Sequence, residues 1–226
     1  MIADPAYCSA CEVRKTSICA ELGADDMKVV ARTMAHHSVK EGQAIVKQGE
    51  PNEKLYVIVS GTFRLVRMLS DGRRQITGFL FPGDFLGLNA SNDSVHSAEA
   101  LEPGLVCRFS HSYLDEMSRK YPGIKDRLLA RGHTEMNKAE DHIVLLGKTN
   151  AEERVLSFLS MIAKKCPKYD SGRIFLPMPR QDIADYLGLR LETLSRTLAS
   201  LKKQHRLQEV SGRYVVVGAR FEGVEI

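Results

Sequence analysis

Nowhere in its 226 residues does this chain carry an apolar run long enough to cross a bilayer. Its first twenty residues include Asp4, Glu12, Arg14 and Lys15 and lack the unbroken apolar stretch of a secretory leader, so the expected address is the cytoplasm. Also missing are a phosphate-cradling glycine loop, a nucleophile–base pair and a paired acidic motif, which sets enzymatic chemistry aside. Cysteine is scarce and odd in number, five in all. In a reducing compartment that argues against a disulfide framework and for thiol chemistry or metal binding.

What the chain does have is 43% hydrophobic residues, ample for packed cores, and an uneven charge. Residues 149–226 hold 13 Lys and Arg against 9 Asp and Glu, while residues 1–148 hold 19 of each, so the net charge of +4 lies entirely in the last third. A positive field confined to one segment suits a nucleic-acid partner, whose phosphates supply the sequence-independent part of affinity. Many ordinary surfaces are equally basic.

Residues 1–20 read as a short cysteine-bearing arm without periodicity. Residues 39–110 read as β structure, short β-branched or aromatic runs punctuated by glycines, with a hairpin turn at Asp71-Gly72. Such spacing predicts a barrel or roll, not a parallel sheet. After Pro122 the period changes. Leu129, Met136 and Ile143 are spaced by sevens, with Gly132, Ala139 and Leu146 a second such set, giving a seam along a helix of roughly 25 residues. The stripe fits either pairing with a second copy or packing on the roll, and acidic Glu135, Glu140 and Asp141 beside it make any pairing weak. Residues 147–150 read as a hinge, with Asn150 the N-cap of the next helix and Glu153 completing a capping-box-like start.

Residues 180–203 carry a small, glycine, apolar pattern. Ala184 sits where two helices cross, Gly188 permits the turn and Leu194 plugs the gap, which is helix-turn-helix spacing. On the second helix Leu191, Leu194, Leu198 and Leu201 form the inner stripe, leaving Glu192, Ser195, Arg196 and Ala199 outside. Arg196 suits the paired acceptors of guanine, Glu192 the amino group of cytosine, and Ser195 either kind of partner. Arg190, Thr193, Thr197, Lys202 and Lys203 flank them as phosphate contacts. Residues 207–210 and 214–217 read as the strands of a wing. The plain alternative is that Glu192 and Arg196 are a solvated i, i+4 pair.

Cys8, Cys11 and Cys19 crowd one short arm with no apparent core to bury them, so a soft metal centre is their natural use. A fourth ligand has to come from elsewhere, and the roll offers Cys107. Four thiolates suit structural zinc or an iron–sulfur cluster alike, and His36 and His37 are further zinc candidates. Cys166 stands apart as a structural or free thiol.

Three segments, GRRQITGFLFPGDFLGLNA (72–90), NAEER (150–154) and GLRLETLSR (188–196), resemble the Crp/Fnr family of bacterial regulators, its Fnr branch above all, and the similarity runs over essentially the whole chain. The resemblance implies an α+β fold: a cyclic-nucleotide-binding-type β-roll (21–118) behind the arm (1–20), a long dimerisation helix (119–148) and a C-terminal winged helix-turn-helix (149–226). It also implies a homodimer with its interface at Leu129, Gly132, Met136, Ala139, Ile143 and Leu146. Double-stranded palindromic DNA with TTGAT-like half-sites is the implied partner, and the loop at residues 70–74 falls where family members touch RNA polymerase. The family's ribose-binding glutamate falls on Leu88 and its phosphate-binding Arg-Ser pair on His96-Ser97, so a cyclic nucleotide is not expected. In the Fnr branch an oxygen-labile 4Fe-4S cluster is bound, which carries over to Cys8, Cys11, Cys19 and Cys107. The gap between Cys11 and Cys19 is wider than in the commonest enteric pattern and resembles a variant form. A zinc or redox-thiol centre, and a haem or small-ligand sensor, remain the competing readings of the same DNA-binding dimer.

Overall fold

The computed structural model describes residues 8, 10–88, 92–148, 150–165, 173–211 and 213–217, so Cys166 and Gly212 lie outside the described residues. Two compact units emerge, residues 1–136 and 137–226, and the division falls inside the long helix rather than at residue 149.

The first unit carries strands β1 (Ala35–Val39), β2 (Ala44–Val46), β3 (Lys54–Ser60), β4 (Phe63–Met68), β5 (Arg74–Leu80), β6 (Phe85–Leu86), β7 (Ser97–Ala100) and β8 (Gly104–Ser110). They form two antiparallel sheets, ordered β1-β8-β3-β6 and β2-β7-β4-β5. The β4–β5 hairpin turns at Gly72, whose φ of +82° is a left-handed conformation that costs glycine nothing.

Strand β3 is buried on both faces from Leu55 to Val59, which is why that run is apolar without alternation. Tyr56 and Ile58 join Phe63, Leu80, Ala100 and Val106 in one core, while Leu55, Val57 and Val59 face a second one. That second core is completed by α1 (Ala24–Thr33), α2 (His111–Lys120) and the first turn of α3 (Pro122–Gly147), through Met27, Val30, Leu114, Met117 and Ile124. Helix α1 was not singled out in the sequence, although its signal is there: Met27, Val30, Ala31 and Met34 keep i, i+3, i+4, i+7 spacing and are all buried.

One expectation is overturned here. The cysteine segment is not an arm without a core, since Cys8, Val13, Ile18 and Leu22 are buried in the second core and Cys11 and Cys19 pack against it. The segment folds as two 3-10 turns, Arg14–Thr16 and Ile18–Glu21. Turns that short leave no helical or strand period in the sequence, which is why the burial could not be read there.

Helix α3 leaves its seam open. Leu129, Met136 and Ile143 are 61%, 62% and 70% exposed, Leu146 and Ala139 are exposed and Gly132 is half-buried, so within the first unit Leu129 and Met136 are not covered by the roll.

The second unit contains α4 (Ala151–Lys165), β9 (Arg173–Phe175), α5 (Arg180–Tyr186), α6 (Leu191–Lys203), β10 (Leu207–Ser211) and β11 (Tyr214–Val217). Val155, Leu156, Phe158, Leu159 and Ile162 of α4 are buried beside Leu194, Leu198 and Leu201 of α6 and the fully buried Ala184 of α5. The two strands expected for a wing are joined by β9 in the order β10-β11-β9.

Because Ile18 is only 2% exposed, Ile18→Ala is expected to destabilise the first unit by about 2–5 kcal/mol in denaturant unfolding, the range for truncating a core isoleucine. A loose tail at this position would leave the unfolding midpoint unchanged.

Candidate functional site

Strand parity decides where Cys107 points. On β8, Val106 belongs to the core between the sheets, so Cys107 and Phe109 turn to the opposite face, toward the helices and the cysteine segment. Cys107 lies between His36 on β1 and Val57 on β3. Cys8, Cys11, Cys19 and Cys107 line one small cavity with Val13, Met27 and Phe109, and none of the four forms a disulfide.

The donor set is soft: four thiols, two methionines and His36 line the cavity beside Arg14 and Ser17, and among the described residues no carboxylate does. His36, in the sequence a zinc candidate no different from His37, places its Nε2 4.0 Å from the Cys8 Sγ. Burial pushes the Cys107 thiol well above its ordinary value, with the other three thiols adding to the rise, and burial likewise raises Cys19 against the hydrogen bond from Ser17. Thiolates gathered here are therefore costly unless a cation joins them. Among the described residues no three His, Cys, Asp or Glu side chains are arranged around a single metal ion. A 4Fe-4S cluster takes one thiolate per iron, so donors spaced around a cavity suit it chemically.

The cysteine segment is tied to the start of α3. Arg127 pairs with Glu21, Arg131 donates to the Thr16 carbonyl, and the Arg131 guanidinium stacks over the Phe85 ring at 5.3 Å. A Cβ at Gly123 would collide with the Glu21 carboxylate, so the two elements are in close contact.

The region where the family holds a cyclic nucleotide is differently furnished. Leu88 packs against the helix-side core, and Ser97 Oγ accepts a hydrogen bond from the Gln48 amide at 3.0 Å. Burial, with the charge of Arg67 adding, pulls the His96 imidazole below its ordinary pKa, favouring the neutral ring.

In the second unit, α6 exposes Glu192, Ser195, Arg196 and Ala199 on one face, with Lys202 and Lys203 exposed at its end and Arg190 exposed just before it. Among the described residues no ion pair joins Glu192 to Arg196. Arg196, Thr193 and Thr197 line an open groove with Asn150 and Glu152 at the start of α4. The Asn150 Oδ1 accepts from the Glu152 amide at 2.9 Å, the expected N-cap, while Thr197 Oγ1 donates to the Thr193 carbonyl of its own helix at 2.9 Å.

Residues 36–121 match the cyclic nucleotide-binding domain and residues 153–219 the Crp-like helix-turn-helix domain. The chain is 35% identical over 208 residues to the nitrogen fixation regulation protein FixK of Bradyrhizobium diazoefficiens, covering 91% of this chain and 88% of that protein. To the transcriptional activator protein FnrL of Cereibacter sphaeroides it is 31% identical over 216 residues, covering 93% and 87%. Among solved structures, FixK2 from Bradyrhizobium japonicum superimposes with a TM-score of 0.75 at 37% identity, over 81% of this chain and 92% of that one. A β-roll, a long helix and a helix-turn-helix in this order, with likeness to such relatives over nearly their full length, make this chain a member of the Crp/Fnr family.

Proposed function

We propose that this protein is an oxygen-responsive, DNA-binding transcription regulator, mainly an activator of anaerobic or microaerobic genes, that pairs with itself while a 4Fe-4S cluster is intact. The observation that carries the reading is the convergence of four thiols, three from the N-terminal segment and one from the roll, on one soft-donor cavity next to the start of the long helix. Cys8, Cys11, Cys19 and Cys107 would hold the cluster. When bound, such a group supplies oxygen-labile redox chemistry.

The rest is the work of the chain's own residues. Arg127 and Arg131 hold the cysteine segment against α3, so the placement of that segment bears on the helix carrying Leu129, Gly132, Met136, Ala139, Ile143 and Leu146. The exposed seam supports pairing, and Glu140 and Asp141 beside it keep the pair marginal, so a modest stabilisation of α3 decides the oligomeric state. Two recognition helices then read a palindrome with TTGAT-like half-sites through Glu192, Ser195 and Arg196. Arg190, Thr193, Thr197, Lys202 and Lys203 reach phosphates, Thr197 only by giving up its bond to Thr193. The exposed loop at residues 70–74, braced by a 2.7 Å Asp71–Arg73 ion pair, is the candidate contact with RNA polymerase. A cyclic nucleotide is not the ligand, given Leu88 and the neutral His96, and no enzymatic role is proposed.

Protein purified without air is expected to be brown, to contain iron and sulfide in equal amounts, and to elute as a dimer that falls to a monomer on exposure to air. Colourless, iron-free protein that still pairs normally would sink the sensing reading, and zinc in its place would favour the competing centre. Arg196→Ala is expected to lose about 1–3 kcal/mol of discrimination between the TTGAT-like palindrome and a site with its guanines replaced, measured as a ratio of binding constants. An unchanged ratio removes Arg196 from base reading.

A further inference from the structure

A helix leaves its last carbonyls without intrahelical donors, and what supplies those donors fixes the helix end in space. At the end of α5 two consecutive carbonyls are claimed from outside the helix-turn-helix. The Tyr186 carbonyl accepts from His142 Nε2 at 2.8 Å, and the Leu187 carbonyl from Arg154 Nη1 at 3.1 Å. The His142 ring also lies flat on the Tyr186 ring, with centroids 4.1 Å apart and planes 3° from parallel. Neither residue is part of the DNA-reading element: His142 belongs to α3 and Arg154 to α4.

The same arginine closes the segment that the sequence reads as a hinge. Its Nε donates to the Lys148 carbonyl at 2.8 Å, and the Lys148 ammonium donates to the buried Ser157 hydroxyl at 2.7 Å. Gly188, in the turn before the recognition helix, has a φ of +62°, and a Cβ there would lie 3.3 Å from the Leu146 side chain. The last turns of α3, the start of α4 and the turn between α5 and α6 thus form one block, in keeping with a compact unit that begins at residue 137. His142 is next to Ile143 in the chain. About 100° of helical rotation separates neighbouring side chains, so one turn of α3 grips the helix-turn-helix on one side and presents the seam on another.

We propose that His142 and Arg154 are positioning residues for DNA recognition: by satisfying the Tyr186 and Leu187 carbonyls they lock the recognition helix to the end of α3, so that pairing along α3 fixes the separation and rotation of the two recognition helices. This rests on the reading above that a pair of chains binds a palindrome. One added base pair moves the second half-site by about 3.4 Å and about 35°, a mismatch that a locked pair cannot follow and a loosened one can.

The experiment measures binding of the full chain, prepared without air, to TTGAT-like palindromes with the optimal spacer and with spacers one base pair longer and shorter. Wild type is expected to lose at least about tenfold in affinity on either change, equivalent to ~1.4 kcal/mol. His142→Phe, which keeps a ring over Tyr186 but loses the donor, and Arg154→Met are expected to weaken binding to the optimal site and to shrink the spacer contrast to less than about threefold, with the dimer retained by size exclusion. His142→Gln, whose amide can still donate, is expected to restore the contrast. Folded, dimeric variants that keep the wild-type contrast overturn the proposal, and so does an affinity loss equal on all three spacers, which marks a general structural defect. If His142→Phe or Arg154→Met fails to fold, the comparison of His142→Gln with the shorter His142→Asn decides on the same terms. Wild type that binds none of the palindromes refutes instead the DNA reading on which the proposal stands.

Discussion

The first unit depends on strands β3 and β8 being buried on both faces. A strand covered on one side only would send its alternate residues to water, and Cys107 would be one of them. Here the helix-side face of β8 is itself a core face, shared with α1, α2, the start of α3 and the cysteine segment. The thiol is thereby fixed in an apolar place that the other three cysteines can reach, and the same face carries the foot of the long helix through Ile124. Candidate sensor and candidate dimer helix are neighbours because one sheet packs in both directions.

Much of this is legible in the chain. Long, strongly periodic segments announce themselves: α3 from its sevens, α6 from a leucine stripe, and the β4–β5 hairpin from Asp-Gly between two apolar runs. The helix-turn-helix is legible for a further reason, since Ala184, Gly188 and Leu194 are each required by a specific close contact or backbone angle. The cysteine segment fails on the same criterion. Its buried apolar residues, at 8, 13, 18 and 22, follow no single period, because two short 3-10 turns rather than one regular element carry the segment. His36 was also hard to weigh, as nothing local distinguishes it from His37; only strand register sets it opposite Cys107.

The two faces of α3 illustrate what periodicity leaves undecided. A stripe at seven-residue spacing looks the same whether it is covered by its own fold or by a second copy. Leu129, Met136 and Ile143 stay exposed, while Ile124 and Leu145, off that spacing, are the residues the fold itself buries. Polar positions were harder still. His142 and Arg154 look like ordinary surface residues in the sequence, and their importance lies in carbonyl oxygens more than thirty residues away, which no residue type advertises.

The packing of the cysteine segment carries an evolutionary corollary. Val13, Ile18 and Leu22 cover hydrophobic surface of the roll, so the segment doubles as a plug for its own domain. A related chain could replace the thiols with small apolar side chains and keep this packing, yet could not dispense with the segment without baring Met27, Val30 and Phe109 to water. Loss of the cysteines and loss of the segment are therefore separable events, and the first is much the easier.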